Sequence, residues 1–244
     1  MIKAMQKKLF IIIPAYNEEN TIANVIRLIP FIPGCDLQVI VVDDGSTDNT
    51  RLLAQNEGAI VLRNPFNLGL GFTFRKGLNF CIENDADILM VLDADGQYSP
   101  KQIPSLINPL LYGQGDLIMG NRFLKGSEYK EGWIKYLINF MLSFLISRIL
   151  LRLRSVYDTQ SSFRAFNHDL GKCLLSNLKG TYNYAQELFI LSSLCGYQIR
   201  QVPIICQERK SGKSRLIKNP FVHLYRILKI SIKVYLKRAN LKSV

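Results

Sequence analysis

Histidine is nearly missing from this chain of 244 residues: only His168 and His223 occur, too few for a histidine-based metal centre. Cysteine is sparse and odd in number. Cys35, Cys81, Cys173, Cys195 and Cys206 are scattered without a Cys-x-x-Cys pair, which argues against a zinc ribbon or a disulfide framework and suits reduced thiols in a cytosolic setting. Acidic residues are also short, 19 against 31 lysines and arginines. The resulting formal charge of +12 implies an anionic partner, whether nucleic acid, a lipid surface or a phosphorylated substrate. Two nucleotide-binding fingerprints are absent. Gly69-Leu70-Gly71 has no third glycine at the dinucleotide spacing and follows the third apolar run, while Gly212-Lys213-Ser214 lacks the earlier glycine and the strand that a P-loop needs. A secretory leader is not expected, because the apolar run after the basic N-terminus, Leu9 to Ile13, is too short. Nor is there a platform of interleaved aromatic and basic residues of the kind that binds nucleic acid, so no nucleic-acid partner is expected.

What is present is a hydrophobic content of 48%, enough for a large core. Apolar, β-branched runs at Leu9 to Ile13, Leu37 to Val42, Ala59 to Leu62, Ile88 to Leu92 and Asp116 to Gly120 read as strands. Between them lie helical stretches, from about Thr21 to Leu28, after Asp48, and from Gly71 to about Ile82. Ser46 or Thr47 is expected to cap the second of these. Strands alternating with helices predict an α/β fold, a mostly parallel doubly wound sheet with helices on both faces. One domain over 1–215 and a basic amphipathic helix over 216–244 account for the length.

The stretch Val91-Leu92-Asp93-Ala94-Asp95-Gly96-Gln97 carries the chemistry. An unbroken apolar run before it has the character of a strand buried on both faces. Residues i and i+2 of an extended chain point the same way, so Asp93 and Asp95 could converge on one hard cation, with Gln97 two further along. A magnesium-type ion takes one or two carboxylates and fills its other positions with substrate phosphates and water. Ligands of open α/β sheets bind beyond the carboxyl ends of the strands, where this pair falls.

Ile12-Ile13-Pro14-Ala15-Tyr16-Asn17-Glu18, then Val41-Val42-Asp43-Asp44-Gly45-Ser46-Thr47-Asp48, then Asp93-Ala94-Asp95 resemble, in order and spacing, the family 2 glycosyltransferases of GT-A fold. Asp158-Thr159-Gln160-Ser161-Ser162-Phe163-Arg164 and Val202-Pro203-Ile204, followed by Arg209 and Gly212-Lys213-Ser214, narrow the resemblance to the dolichol-phosphate mannosyltransferase-like branch. It spans about Leu9 to Arg215. Ser162 departs from it, since that branch usually has glycine there. The resemblance implies an inverting transferase that moves a hexose from a GDP- or UDP-sugar to a polyprenyl phosphate, dolichyl or undecaprenyl, with Mg2+ or Mn2+ held by Asp93, Asp95 and Gln97. It implies that Pro14, Tyr16, Glu18, Val42, Asp43 and Asp44 receive the base and ribose. Arg122, Arg209 and Arg215 would meet phosphates, for which a planar guanidinium fork is suited. Ala94, Ser162, Arg164, Glu187 and Lys213 complete the substrate-binding set, and catalysis would rest on Asp93, Asp95, Arg122 and Arg209. A phosphate acceptor is largely ionised at neutral pH, so Glu187 need not act as a base; it could instead position the sugar or pair with Arg209 or Lys213. A saccharide or diacylglycerol acceptor would require a true base. A non-catalytic protein binding membrane or nucleic acid would leave the acidic pair unexplained.

Residues 133–151 are nearly all apolar and close to the length of a membrane span. Lys135, Asn139, Ser143 and Ser147, however, recur every four residues, and Arg148, Arg152 and Arg154 follow. A helix in the membrane interface or packed on the domain fits better than a span, which would split the active site across two sides. At the C-terminus, Arg226, Lys229, Lys233 and Lys237 are expected on one helical face and Leu224, Leu228, Ile232 and Tyr235 on the other. The expected location is the cytoplasmic face of a membrane, held peripherally. Enzymes it resembles often continue into transmembrane helices, so firm anchoring would fall to a partner protein.

Overall fold

The computed structural model describes residues 6–130, 132–178, 184–208 and 220–236, the side chains of 220–224 excepted. The apolar runs become β1 (Lys7–Ala15), β2 (Cys35–Asp43), β3 (Ile60–Arg63), β4 (Ile88–Val91) and β5 (Leu117–Asn121). With β7 (Arg164–Asn167) and β8 (Ile199–Pro203) they form one sheet of order β3-β2-β1-β4-β7-β5-β8. Its pairings are parallel except those of β7, which runs antiparallel to β4 and β5. The short β6 (Glu128–Tyr129) and β9 (Ile205–Cys206) pair separately. The mostly parallel α/β sheet expected from the sequence is therefore present, with one reversed strand inserted.

Helices cover both faces. α1 (Ile22–Arg27), α2 (Thr50–Asn56) and α4 (Ile103–Leu111) pack on one side, against Leu9, Ile11, Ile13 and Met90. α3 (Leu70–Glu83), α6 (His168–Asn177) and α7 (Tyr184–Leu194) pack on the other, against Phe10, Ile12, Leu89 and Val91. Alternate residues of each strand thus feed two cores, which is why these strands read as continuous apolar runs. α3 lies very close to the sheet at Gly77, where a Cβ would stand 2.6 Å from Ile12 Cγ2 and 3.0 Å from Val42 Cγ2.

Ser46 and Thr47 do not cap α2, which starts later than expected, at Thr50. The Asp48 carboxylate accepts the Thr50 N–H at 3.0 Å instead, while the Ser46 hydroxyl accepts from Asn17 N–H at 2.9 Å.

α5 (Trp133–Phe144) continues as a π-helical segment, Leu145–Leu150. Together they make an 18-residue helix of mean hydropathy 1.4, long and apolar enough to cross a membrane by length and composition. A helix packed on a domain ordinarily turns its apolar side inward, but this one buries serines beside Leu142 and Ile146 and leaves much of its apolar surface outside. Ser143 and Ser147 are fully buried and accept the N–H groups of Thr159 at 3.2 Å and Tyr157 at 3.1 Å, while Asn139 donates to the Tyr129 hydroxyl at 3.0 Å. Trp133, Ile134, Leu137, Ile138, Met141 and Ile149 face outward. Of the polar stripe seen in the sequence, Asn139, Ser143 and Ser147 belong to the docking face, with Leu142 and Ile146, while Lys135 is exposed.

α8 (Pro220–Leu236) packs on α7 and on the π-helical segment. Its buried face is Ile227 and Ser231, with Val234 and Leu228 partly covered; Ile232, expected on the apolar side, is exposed beside Lys229 and Lys233. The inward stripe sits about one position round the helix from the expected one. Lys237 and the Leu224 side chain lie outside the described residues.

Candidate active site

Pro14 pairs with Val42 and Ile12 with Val91, so the carboxyl ends of β2, β1 and β4 lie side by side. This brings together the segments at Pro14 to Glu18, Asp43 to Asp48 and Asp93 to Gln97. Pro14 is buried, Tyr16 and Glu18 half-buried. Asn17 takes a left-handed backbone (φ 53°) that turns the chain back, and its Oδ1 accepts the Thr47 N–H at 2.8 Å. Glu18 N–H donates to Thr50 Oγ1 at 2.7 Å. The two loops are thereby fixed to each other.

The adjacent aspartates divide their work. Asp44 accepts from Asn64 Nδ2 at 2.8 Å and from the N–H groups of Leu68 and Gly69, both at 2.9 Å, and so shapes the entry into α3. Gly45 permits this approach, since a Cβ there would meet the Phe66 backbone at 2.6 Å. Asp43 is fully buried, and its Oδ1 accepts the Ser46 N–H at 2.9 Å. Its Oδ2 lies 3.4 Å from Arg63 Nε, an ion pair without hydrogen-bond geometry, and has no hydrogen-bond partner among the described residues. The Val42 side chain is buried beneath α3 and serves the core rather than facing a ligand.

Leu92 N–H donates to the Ile12 carbonyl at 3.0 Å, which carries the strand register up to the acidic pair. Continuing the alternation puts Asp93 on the side of Val91, toward α3 and α7, and Ala94 in the opposite core with Leu92. Ser162, the departure from the family pattern, hydrogen-bonds Asp93 Oδ2 through its hydroxyl. Asp95 is buried, and its Oδ1 accepts the Gln97 N–H at 3.0 Å across a turn at Gly96 (φ 74°). Gln97 is half-buried beside it. No group of three or more histidine, cysteine, aspartate or glutamate side chains suited to a metal occurs among the described residues. Two carboxylates and an amide form an oxygen donor set that fits a hard cation completing its shell with phosphate and water, and does not fit a closed structural metal.

The 158–162 segment joins this pair to a buried cation. Arg122, just after β5, is 6% exposed and forks onto Asp158, Nε at 2.6 Å and Nη2 at 2.8 Å. Burial alone would lower its pKa, but the Asp158 carboxylate outweighs that and holds it well above the usual arginine value. Asp158 also accepts the N–H groups of Arg122, Gln160 and Ser161. Arg122 further lines a cleft of 610 Å³ with Phe123, Tyr129, Lys130, Trp133 and Tyr136, at the start of α5. Arg164 requires a correction: expected at the substrate, it is fully buried and donates to the carbonyls of Ala185, Thr159 (3.1 Å) and Asp158 (3.3 Å). Burial brings its pKa down to about 10. It joins α7 to the 158–162 loop, and its Nε has no hydrogen-bond partner among the described residues. Glu187 is buried in the first turn of α7. Arg209, Lys213 and Arg215 lie outside the described residues. Sequence reasoning quoted Asp158 without giving it a role, and it missed Tyr98 and Tyr184, buried tyrosines in the two cores on either side of Asp93.

Residues 10–175 match the family model described as Glycosyl transferase family 2. The UDP-N-acetylglucosamine–dolichyl-phosphate N-acetylglucosaminyltransferase of Methanococcus voltae is 30% identical over 93% of this chain and 97% of its own. The undecaprenyl-phosphate mannosyltransferase of Micrococcus luteus is 29% identical over 84% of this chain and 86% of its own. Among solved structures, glucosyl-3-phosphoglycerate synthase of Mycobacterium tuberculosis, in complex with Mn2+, UDP and glucosyl-3-phosphoglycerate, superposes with a TM-score of 0.67 at 25% identity, covering 97% of this chain and 81% of that one. That solved structure shares the GT-A architecture described above. The chain belongs to glycosyl transferase family 2 and is a glycosyltransferase.

Proposed function

We propose that the protein moves a hexose, with inversion, from a nucleotide diphosphate sugar to a polyprenyl phosphate at a membrane surface. The observation that carries this reading is the 158–162 segment, which links Arg122 in an aromatic, basic cleft to Asp93 of the acidic pair. Donor and acceptor phosphates would then meet on two sides of one loop. The relatives that act on dolichyl and undecaprenyl phosphates support the choice of acceptor.

In this mechanism the Asp43 Oδ2 atom, buried, ion-paired with Arg63 and without a hydrogen-bond partner among the described residues, receives an N–H of the donor base. Asp93 and Asp95, with Gln97, would hold Mg2+ or Mn2+, which supplies charge neutralisation on the departing diphosphate. Arg122, its Nε and Nη2 fixed by Asp158, offers its remaining N–H groups to the acceptor phosphate in the cleft, beside Lys130. The acceptor oxygen, already ionised, attacks the anomeric carbon as the bond from that carbon to the diphosphate oxygen breaks, and no side chain has to remove a proton. Purified protein with Mn2+ and undecaprenyl phosphate should form a lipid-linked sugar from at least one of UDP-glucose, UDP-N-acetylglucosamine and GDP-mannose. The matching nucleoside diphosphate should raise the melting temperature, by the equivalent of about 2.7 kcal/mol at a hundred times its Kd. No product from any donor, with no stabilisation by UDP or GDP, would overturn the reading.

The exposed apolar side of α5 supports the membrane part. It begins at the cleft, which Trp133 and Tyr136 line, and runs on along the helix to Ile149. Arg148, Arg152 and Arg154 at its far end, and Arg226, Lys229 and Lys233 on α8, are exposed and would each add about 1 kcal/mol against an anionic surface. Replacing Ile134 and Ile149 by serine removes two exposed apolar anchors, each worth about 1.5–3 kcal/mol when fully buried. The double variant should sediment with phosphatidylglycerol-containing vesicles at least about tenfold less than the parent, with an unchanged melting temperature. Equal partitioning would show that this face does not meet lipid.

A further inference from the structure

We infer that Tyr184 is a specificity-determining residue whose phenol donates a hydrogen bond to a hydroxyl of the transferred sugar, an inference that rests on the donor use proposed above. Tyr184 opens α7, is 1% exposed, and stacks on Phe74 with centroids 4.0 Å apart. Phenylalanine would give the same stacking. The hydroxyl itself has no hydrogen-bond partner among the described residues. Buried donors left unmet in a folded protein are uncommon, and a ligand that meets them is one of the standing explanations.

The surroundings define what such a ligand group must be. Arg164 on β7 and Val91 on β4 pair on the face that α7 covers, and Ser162 and Asp93, each two residues beyond its strand, hydrogen-bond each other; Tyr184 lies within electrostatic reach of both Asp93 and Arg164. Arg164 donates through Nη1 and Nη2 to the carbonyls of Ala185, Asp158 and Thr159, which fix it as a wall, while its Nε has no hydrogen-bond partner among the described residues. Burial pushes the phenol pKa above its usual value, so it remains a neutral donor. The diphosphate is assigned to the cation held by the acidic pair and the base to the other end, near Asp43, so the phenol is left for neither. It suits an alcohol, which can donate to the carboxylate while accepting from the phenol. The hexose is the part of the donor that presents alcohols and sits against the acidic pair.

The discriminating variant is Tyr184→Phe, assayed against Asp93-intact parent with UDP-glucose, UDP-N-acetylglucosamine, GDP-mannose and versions of the accepted donor lacking one sugar hydroxyl each. Loss of the phenol should lower kcat/KM for the accepted donor roughly tenfold, the scale of one buried hydrogen bond. The loss should disappear for the single deoxy donor that lacks the contacted hydroxyl, as a double-mutant cycle requires. Binding of the bare nucleoside diphosphate with Mn2+ should be unchanged, and the melting temperature should stay level or rise, because an unmet buried hydroxyl has been removed. A variant that matches an active parent with every donor, or one that melts lower and loses equally with all deoxy donors, overturns the role given to Tyr184 alone. A parent that transfers no sugar at all overturns this inference and the proposed function together.

Discussion

Asp95→Asn should reduce sugar transfer at least about a thousandfold, the factor that corresponds to several kcal/mol of lost charge stabilisation at the leaving group. The substitution is chosen because it is mild for the fold. Asp95 Oδ1 accepts the Gln97 N–H at 3.0 Å, and an asparagine oxygen can accept the same bond, so the turn at Gly96 is kept while one negative charge is removed. The melting temperature should therefore stay close to the parent value. Titration with Mn2+ in the presence of the nucleoside diphosphate should show weakened metal binding, and excess metal should recover only part of the rate, since a carboxylate ligand has become a neutral amide. Asp93→Asn is a less clean test, because Ser162 hydrogen-bonds that carboxylate and its loss also disturbs the 158–162 loop. An Asp95→Asn enzyme with the parent's rate and the parent's metal dependence would remove the acidic pair from the mechanism.

The acidic pair was legible in the sequence because of how buried parallel strands are written. β4 feeds both cores, so Ile88 to Leu92 is apolar without interruption, and two carboxylates directly after such a run mark a strand end rather than a surface turn. The same logic found β1 and β2 and the loops at Asn17 and Asp43. β7 escaped because only Ala165 and Phe166 of its four residues are apolar, between Arg164 and Asn167, so it shows no apolar run even though β3 and β4 are no longer than it. A charged residue in a core is unreadable when its partners are backbone carbonyls, as for Arg164, since carbonyls have no signature in a sequence. α5 shows a related limit. Its serine and asparagine stripe was visible, but whether a stripe of small polar groups faces water or unpaired backbone N–H groups depends on what lies beneath it, here Tyr157 and Thr159. Of the two neighbouring aspartates, only the structure distinguishes Asp44, which holds the loop before α3, from Asp43, whose Oδ2 is ion-paired with Arg63 but has no hydrogen-bond partner among the described residues.

Asp158→Ala should destabilise the protein by about 3–5 kcal/mol, the cost of leaving a buried charge uncompensated. Asp158 is fully buried and takes two guanidinium bonds from Arg122, at 2.6 and 2.8 Å, in addition to backbone N–H groups on both sides. Alanine would strand the Arg122 cation at 6% exposure and release the loop that carries Ser162 to Asp93. Activity would fall too, but a destabilised protein loses activity for many reasons, so the single variant does not separate holding the fold from serving the acceptor. The double variant Arg122→Met with Asp158→Leu does. Replacing both members of a buried ion pair by apolar groups of similar volume is often neutral for stability. The part of the unfolding free energy lost to the stranded cation should therefore return in urea denaturation, while the part due to the N–H groups of Arg122, Gln160 and Ser161 should not. Transfer should not return, because the guanidinium that would meet the acceptor phosphate is gone. The coupling between the two positions, read from the full cycle, should be at least about 2 kcal/mol for residues in direct contact within one network. Additive stability losses would show that the pair is not a unit, and a stable double variant with the parent's rate would show that Arg122 serves the fold and not the acceptor.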